Sequence, residues 1–326
     1  MRSFEESVAL VAPCGSVTIR ATVTLPERLR DDAPTPVVFA FPGGGYSRNY
    51  FDPHPPGAGE SYSMTSALAG AGLVVVAGDN LGTGESSRPS PASRIDVEDL
   101  VAGNQALVEH VLGRLRAGAY PGMGGPVRTT AIGLGHSMGA GLVTVQQARH
   151  APYAGIALLG RALTGSPIPA PAADGSAEPR WAPGAEQLAD FEASAEIVDG
   201  YYLHRAHTPW QRYLFFWDDV PEEVVDYDER HGTTFPLHVA RRLGGAGGPN
   251  RECAGLVTTP ILLAFGERDV TRDPLAEVAA YRASTDIRLL RVPRSAHCHN
   301  LSSSRHWLWR RLTAWIGEVA AQAGDA

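Results

Sequence analysis

The stretch Gly133-Leu134-Gly135-His136-Ser137-Met138-Gly139 decides how this chain is read. It sets a serine between two glycines, after an apolar run (Thr129 to Leu134) and before a segment with helical spacing (Ala140 to Arg149). A tight turn between strand and helix holds a serine hydroxyl clear of the backbone. Such a turn needs small flanking residues so that neighbouring main chain can pass. Gly-x-Ser-x-Gly alone arises by chance in a glycine-rich chain. Its weight comes from what surrounds it.

Short apolar runs recur on both sides: Pro36 to Phe41, Leu73 to Ala77, Thr130 to Leu134, Gly155 to Leu159, Ile261 to Phe265 and Ile287 to Val292. Runs of this length fit strands covered on both faces. Helical periodicity lies between them, at Ser63 to Ala71, Val97 to Ala117, Ala140 to His150 and Pro274 to Ala283. A last helix, Ser304 to Ala321, puts Trp307, Leu308, Leu312, Trp315 and Ile316 on one face, for packing on the sheet or sharing in a homo-oligomer. Ser7 to Val11 and Val17 to Thr24, around Pro13-Cys14-Gly15, read as a hairpin. Strands alternating with helices give an α/β class with a mostly parallel sheet. From Thr164 to Ala254 the alternation fails, between a Pro/Ala stretch (residues 166–175) and a glycine-rich one (residues 244–250). We expect a core of residues 1–164 and 255–326, with a helical cap of residues 165–254 inserted after the sixth strand.

The 326 residues are 44% hydrophobic and 19% charged, ordinary for a globular protein. A formal net charge of −7, with no arginine-rich stripe, argues against a nucleic-acid partner. No apolar stretch reaches the length that spans a bilayer, and the first residues do not read as a secretory signal. Three widely spaced cysteines, Cys14, Cys253 and Cys298, suit a reduced compartment. A cytoplasmic protein without a membrane partner is expected.

A serine needs a base, an acid that orients the base, and donors for the developing oxyanion. Asp269 follows the run Ile261 to Phe265 at the sheet edge where α/β active sites assemble, with Glu267 and Asp273 as competitors. His297 follows the last strand and two small residues; His299 is the alternative base. The His-x-His pair could also ligate a metal. No carboxylate or cysteine cluster beyond Cys298 completes such a site, so none is expected. Pro42-Gly43-Gly44-Gly45-Tyr46 follows the strand at Val37 and offers unobstructed N–H groups. Gly44 or Gly45, with Met138, are the expected oxyanion donors.

In this order, glycine-rich loop, Ser137, insertion, Asp269, His297, the chain resembles cap-bearing serine hydrolases of the α/β-hydrolase superfamily. The segment Gly78 to Ser86 also resembles the Asp-x-x-Gly-x-Gly-x-Ser turn of cap-bearing members, where it is structural. Pro42-Gly43 stands where the superfamily usually has His-Gly. The resemblance implies eight mostly parallel strands, no cofactor and hydrolysis of a carboxylic ester through an acyl-enzyme. Relatives that open epoxides or displace halide carry an aspartate where this chain has Ser137. Relatives of this layout also open macrolactones, so a lactonase is the alternative, followed by a thioesterase, an acyltransferase and a non-catalytic binding protein.

Eleven of the twenty-five aromatic residues lie between Trp181 and Phe235. Such a cap would favour an apolar or aromatic ester or lactone, although a small cap also needs aromatics for its own core. Tyr46, His136, Trp210, Phe216 and Trp217 are the expected substrate-facing residues. His204, His207, His231 and His238 are expected to be surface or core residues.

Overall fold

The structure is a computed structural model that describes residues 1–30, 33–58, 61–165, 167–172, 179–194, 196–203, 206–244 and 248–324. His204 and residues 166 and 173–175 of the Pro/Ala stretch lie outside the described residues. Eight strands form one sheet: β1 (Arg2–Ala12), β2 (Gly15–Leu25), β3 (Thr35–Phe41), β4 (Val74–Gly78), β5 (Thr129–His136), β6 (Gly155–Leu159), β12 (Ile261–Gly266) and β13 (Ile287–Val292). Their order is β1-β2-β4-β3-β5-β6-β12-β13. The first two pairings are antiparallel and the remaining five parallel. This is the expected α/β-hydrolase architecture.

Side chains of the central strands divide by alternation. Val37, Phe39 and Phe41 join one apolar cluster with Leu263 and Phe265 of β12. Val38 and Ala40 join the other with Leu262 and Ala264. Helices α2 (Val97–Arg116) and α3 (Met138–His150) cover the first face, and α1 (Met64–Gly70) and α10 (Arg305–Gly324) the second. Trp315, 1% exposed, is buried against the sheet, while Trp307 is partly covered at its margin.

Between β6 and β12 the chain forms two small sheets, β7 (Ile168–Ala170) with β8 (Arg180–Ala182), and β9 (Glu196–Val198), β10 (Tyr201–Leu203) and β11 (Thr234–Pro236). With them stand α4 (Gly184–Ser194), α5 (Pro209–Phe215), α6 (Glu222–Arg230), α7 (Leu237–Gly244) and α8 (Pro249–Ala254). The last two lean on α3: a Cβ on Gly141 would meet Leu243 and Asn250 within 3 Å. Helix α9 (Pro274–Val278) is shorter than its periodicity predicts. Glu277 near its end turns inward, fully buried, to accept from Leu163 N–H (2.6 Å) and the hydroxyls of Thr164 (2.5 Å) and Thr271 (2.9 Å).

Strand register fixes what meets at the sheet's edge. The order of winding turns back at β3, which lies between β4 and β5, and because all three strands are parallel their C-terminal ends open into one crevice. Phe41 pairs with Gly135, so the residues two further on, Gly43 and Ser137, emerge side by side.

Candidate active site

Ser137 links β5 to α3 with φ 51° and ψ −113°, left-handed backbone that a side chain rarely adopts. The flanking glycines make the turn possible. A Cβ on Gly135 would lie 2.4 Å from the Ala140 backbone, and one on Gly139 would lie 2.1 Å from the Phe41 carbonyl oxygen. The Ser137 N–H donates to Leu159 O of β6 (2.8 Å). Met138 opens α3, so its N–H belongs to the first turn, where the helix itself supplies no acceptor.

Asp269 lies beyond β12 with its side chain fully buried. Val270 N–H (2.7 Å) and His297 Nδ1 (2.7 Å) donate to Oδ1; Gly266 N–H (2.8 Å) and His299 Nε2 (2.8 Å) donate to Oδ2. Burial alone would raise the carboxyl's pKa, but His297 and His299 outweigh it and hold the group well below the usual carboxylate range. The acid is therefore ionised and can only accept, so His297 presents a proton to it on Nδ1. Glu267 instead accepts from Arg294 N–H, and Asp273 caps α9.

Gly160 lets His297 approach the end of β6, whose last residue holds the Ser137 amide. It follows Leu159, the partner of the Ser137 amide, and has φ +62°. A Cβ there would lie 2.8 Å from His297 Nδ1 and 2.9 Å from Cε1. A glycine directly after the sixth strand was the sequence signal for this contact.

The glycine-rich loop runs alongside. Gly43, rather than Gly44 or Gly45, is the glycine against Ser137: its Cβ would lie 3.1 Å from the serine Cβ. Gly44 faces the ring of Phe235, and Gly45, at φ +82°, accepts from Thr233 N–H (2.8 Å). Asn80, in the turn after β4, donates to Pro42 O (3.1 Å) and braces the loop from below. The same turn is closed by Asp79, which accepts from the amides of Arg48 (2.6 Å) and Glu85 (2.9 Å).

The expected substrate-facing residues scatter. His136 is fully buried, stacked on Tyr50 (4.4 Å between centroids), with Nε2 bonded to His297 O (2.9 Å). Burial, reinforced by His297 and His299, pushes its pKa well below the ordinary histidine value. The Tyr46 hydroxyl donates to Asp228 Oδ2 (3.0 Å) and lies 3.2 Å from Cys298 Sγ. Burial and Asp228 keep both the phenol and the thiol protonated. Trp210 bonds Pro169 O (2.9 Å), Phe216 is buried beside His207, and Trp217 lies under the Arg268 guanidinium. Of the other histidines in the inserted segment, His207 bonds Asp228 (3.0 Å), His231 stacks on Tyr227, and His238 bonds Ile95 O.

The inserted segment instead presents Phe215, whose ring lies 5.7 Å from that of His297. It also holds the loop after β13 by main chain: His297 N–H donates to Leu214 O and Cys298 N–H to Phe215 O, both at 2.9 Å. Arg268, in the acid's turn, donates to Phe216 O (2.6 Å) and lies over the Tyr213 ring (4.0 Å). Backbone contacts of this kind leave no side-chain signature in a sequence. Among the described residues no group of three or more His, Cys, Asp or Glu side chains is placed to hold a metal ion, and no helix is long and apolar enough to cross a membrane.

Among solved structures, a thermophilic esterase from Thermogutta terrifontis is similar over 97% of this chain and 99% of its own, at 14% identity and TM-score 0.65. An esterase from Exiguobacterium antarcticum is similar over 96% and 100%, at 17% identity and TM-score 0.63. A haloalkane dehalogenase from Bradyrhizobium elkanii is similar over 99% of both chains, at 15% identity and TM-score 0.60. At such identities the likeness speaks for the fold alone. A comparison with curated protein sequences finds no match. The model of the α/β-hydrolase family matches residues 37–310, and the chain belongs to that family.

Proposed function

We propose that the protein hydrolyses a carboxylic ester of an apolar or aromatic substrate, with Ser137 as nucleophile, His297 as base and Asp269 as the acid that orients it. The observation that carries this reading is the Asp269–His297 pair (2.7 Å), at the same edge of the sheet as a serine held at φ 51°. Ser137 Oγ attacks the ester carbonyl carbon while His297 Nε2 takes its proton. Amides of Met138 and of the loop from Gly43 to Gly45 receive the oxyanion. The intermediate collapses to the acyl-enzyme, and the departing alkoxide takes the proton from His297. Water, activated by the same imidazole, then releases the acid and restores Ser137. Residues 165–254 act as the cap, with Phe215 and Phe235 bounding the site and excluding water. The two esterases of similar fold agree with this reading, and a serine at the elbow favours it over the dehalogenase's reaction.

The test is hydrolysis of a panel of activated acyl and aryl esters, thioesters and lactones by the wild type and Ser137→Ala. Turnover that falls about a thousandfold or more in the variant supports the reading, and the preferred member names the subclass. Turnover of none of them, or equal turnover by both proteins, would sink it.

A further inference from the structure

We propose, on the same reading of Ser137, Asp269 and His297, that His299 is a positioning residue that holds the second oxygen of Asp269. The carboxylate has about four lone-pair sites, and four donors fill them, two on each oxygen. Two donors are amides of the acid's own turn; the other two are imidazoles two residues apart. His299 N–H donates to His297 O (3.0 Å), the same carbonyl that accepts from His136 Nε2. This local turn lets both rings reach one carboxylate from opposite sides.

His299 is fully buried, and its Nδ1 has no hydrogen-bond partner among the described residues. Because ionised Asp269 can only accept, the ring presents a proton on Nε2, while Nδ1 is a buried polar atom left unpaired. An unpaired buried polar atom is costly, and a position needed only for volume would hold an apolar side chain. The one use the ring makes of its polarity is the bond to Asp269 Oδ2.

That bond has two effects on the base. It stops the carboxylate from turning, so Oδ1 stays aimed at His297 Nδ1. It also draws charge toward Oδ2, which moderates the pull of Asp269 on a protonated His297. The other titratable groups around the pair are His136 from β5, Tyr50 after the glycine-rich loop, Cys298 between the two histidines and Asp228 from α6. None of these donates to Asp269.

The test compares His299→Phe, which keeps a ring of similar volume, with His299→Gln, whose amide can place a donor near the position of Nε2. In the phenylalanine variant kcat is expected to fall about tenfold to a hundredfold with KM within about twofold, as loss of a bond to a charged group implies. The acid limb of its kcat/KM profile moves to higher pH, and the glutamine variant recovers most of both. Wild-type kcat and pH profile in the phenylalanine variant would overturn the proposal. So would equal losses in both variants with an unmoved limb, the mark of packing alone. A second readout needs no substrate: proton NMR of the wild type should show two downfield imidazole N–H signals. His299→Phe should remove one and shift the other, and an unshifted His297 signal would overturn the assignment. Failure of the ester panel would remove only the hydrolase reading, because the spectrum judges His299 independently.

Discussion

Gly43 stands against Ser137 so closely that a Cβ on the glycine would lie 3.1 Å from the serine Cβ and 3.1 Å from His136 Nδ1. That separation is tight without being forbidden, so Gly43→Ala should fold and displace the loop by a few tenths of an ångström. Misplaced donors then show in kcat, with a fall of roughly tenfold or more and little change in melting temperature. Gly139→Ala is the contrasting case. Its Cβ would sit 2.1 Å from Phe41 O, so thermal unfolding should report a loss of about 3 kcal/mol or more. Equal stabilities for the two variants would contradict the register described for β3 and β5.

The backbone at Ser137 is left-handed, and glycine relieves that strain where alanine does not. Ser137→Gly and Ser137→Ala should both be inactive. The glycine variant should be the more stable by about 1 kcal/mol, despite glycine's greater freedom in the unfolded chain. Chemical denaturation of both variants measures the difference directly.

His136 is buried with its pKa held well below the histidine value. The unfolded chain therefore takes up a proton near pH 6.5 that the native protein does not. Stability is fully present above that pH and declines as pH falls toward the depressed native value. His136→Phe keeps a ring against Tyr50 but cannot take a proton. Its melting temperature should fall less steeply than the wild type's between about pH 6.5 and 5. Parallel curves would show that another group carries the slope. Asp269 works at a lower pH. Its depressed pKa makes a contribution that is whole above about pH 4 and is lost below it, as pH approaches the native value.

Tyr46 gives its hydroxyl to Asp228 and Cys298 rather than to the crevice. Tyr46→Phe should cost about 1–2 kcal/mol of stability, since Asp228 keeps only His207 of these partners. Its KM should stay near wild type. A KM that rises severalfold with stability unchanged would return the hydroxyl to the substrate.

Much of this was legible before any coordinates. Alternation of apolar runs and helical stretches gave the sheet and its class, because burial on both faces leaves a plain mark on strands such as Val37 to Phe41. The spacing from Ile261 to Asp269 and from Val292 to His297 puts both residues on the loops after their strands, and the structure brings the two side chains together at 2.7 Å. The register of the glycine-rich loop was not legible. Three identical residues in a row carry no internal marker, and only the pairing of Phe41 with Gly135 brings Gly43 to Ser137. The length of α9 was hidden because Glu277, which reads as a surface residue, is fully buried. Trp210 and Trp217 drew attention by size, yet their rings meet Arg180 and Arg268. Phe215 looked like its neighbours until the chain path set it beside His297.

The two amides that His297 and Cys298 give to Leu214 and Phe215 have a meaning for how the enzyme is assembled and exchanged. The acceptors are carbonyls, present at every residue, so these two bonds do not themselves depend on which side chains stand at 214 and 215. An insertion transplanted from a relative need not share this one's sequence; it must deliver a helix end whose last carbonyls reach the same place. Shortening the chain between β6 and β12 should conversely leave a sheet that folds and a histidine loop without its outer support.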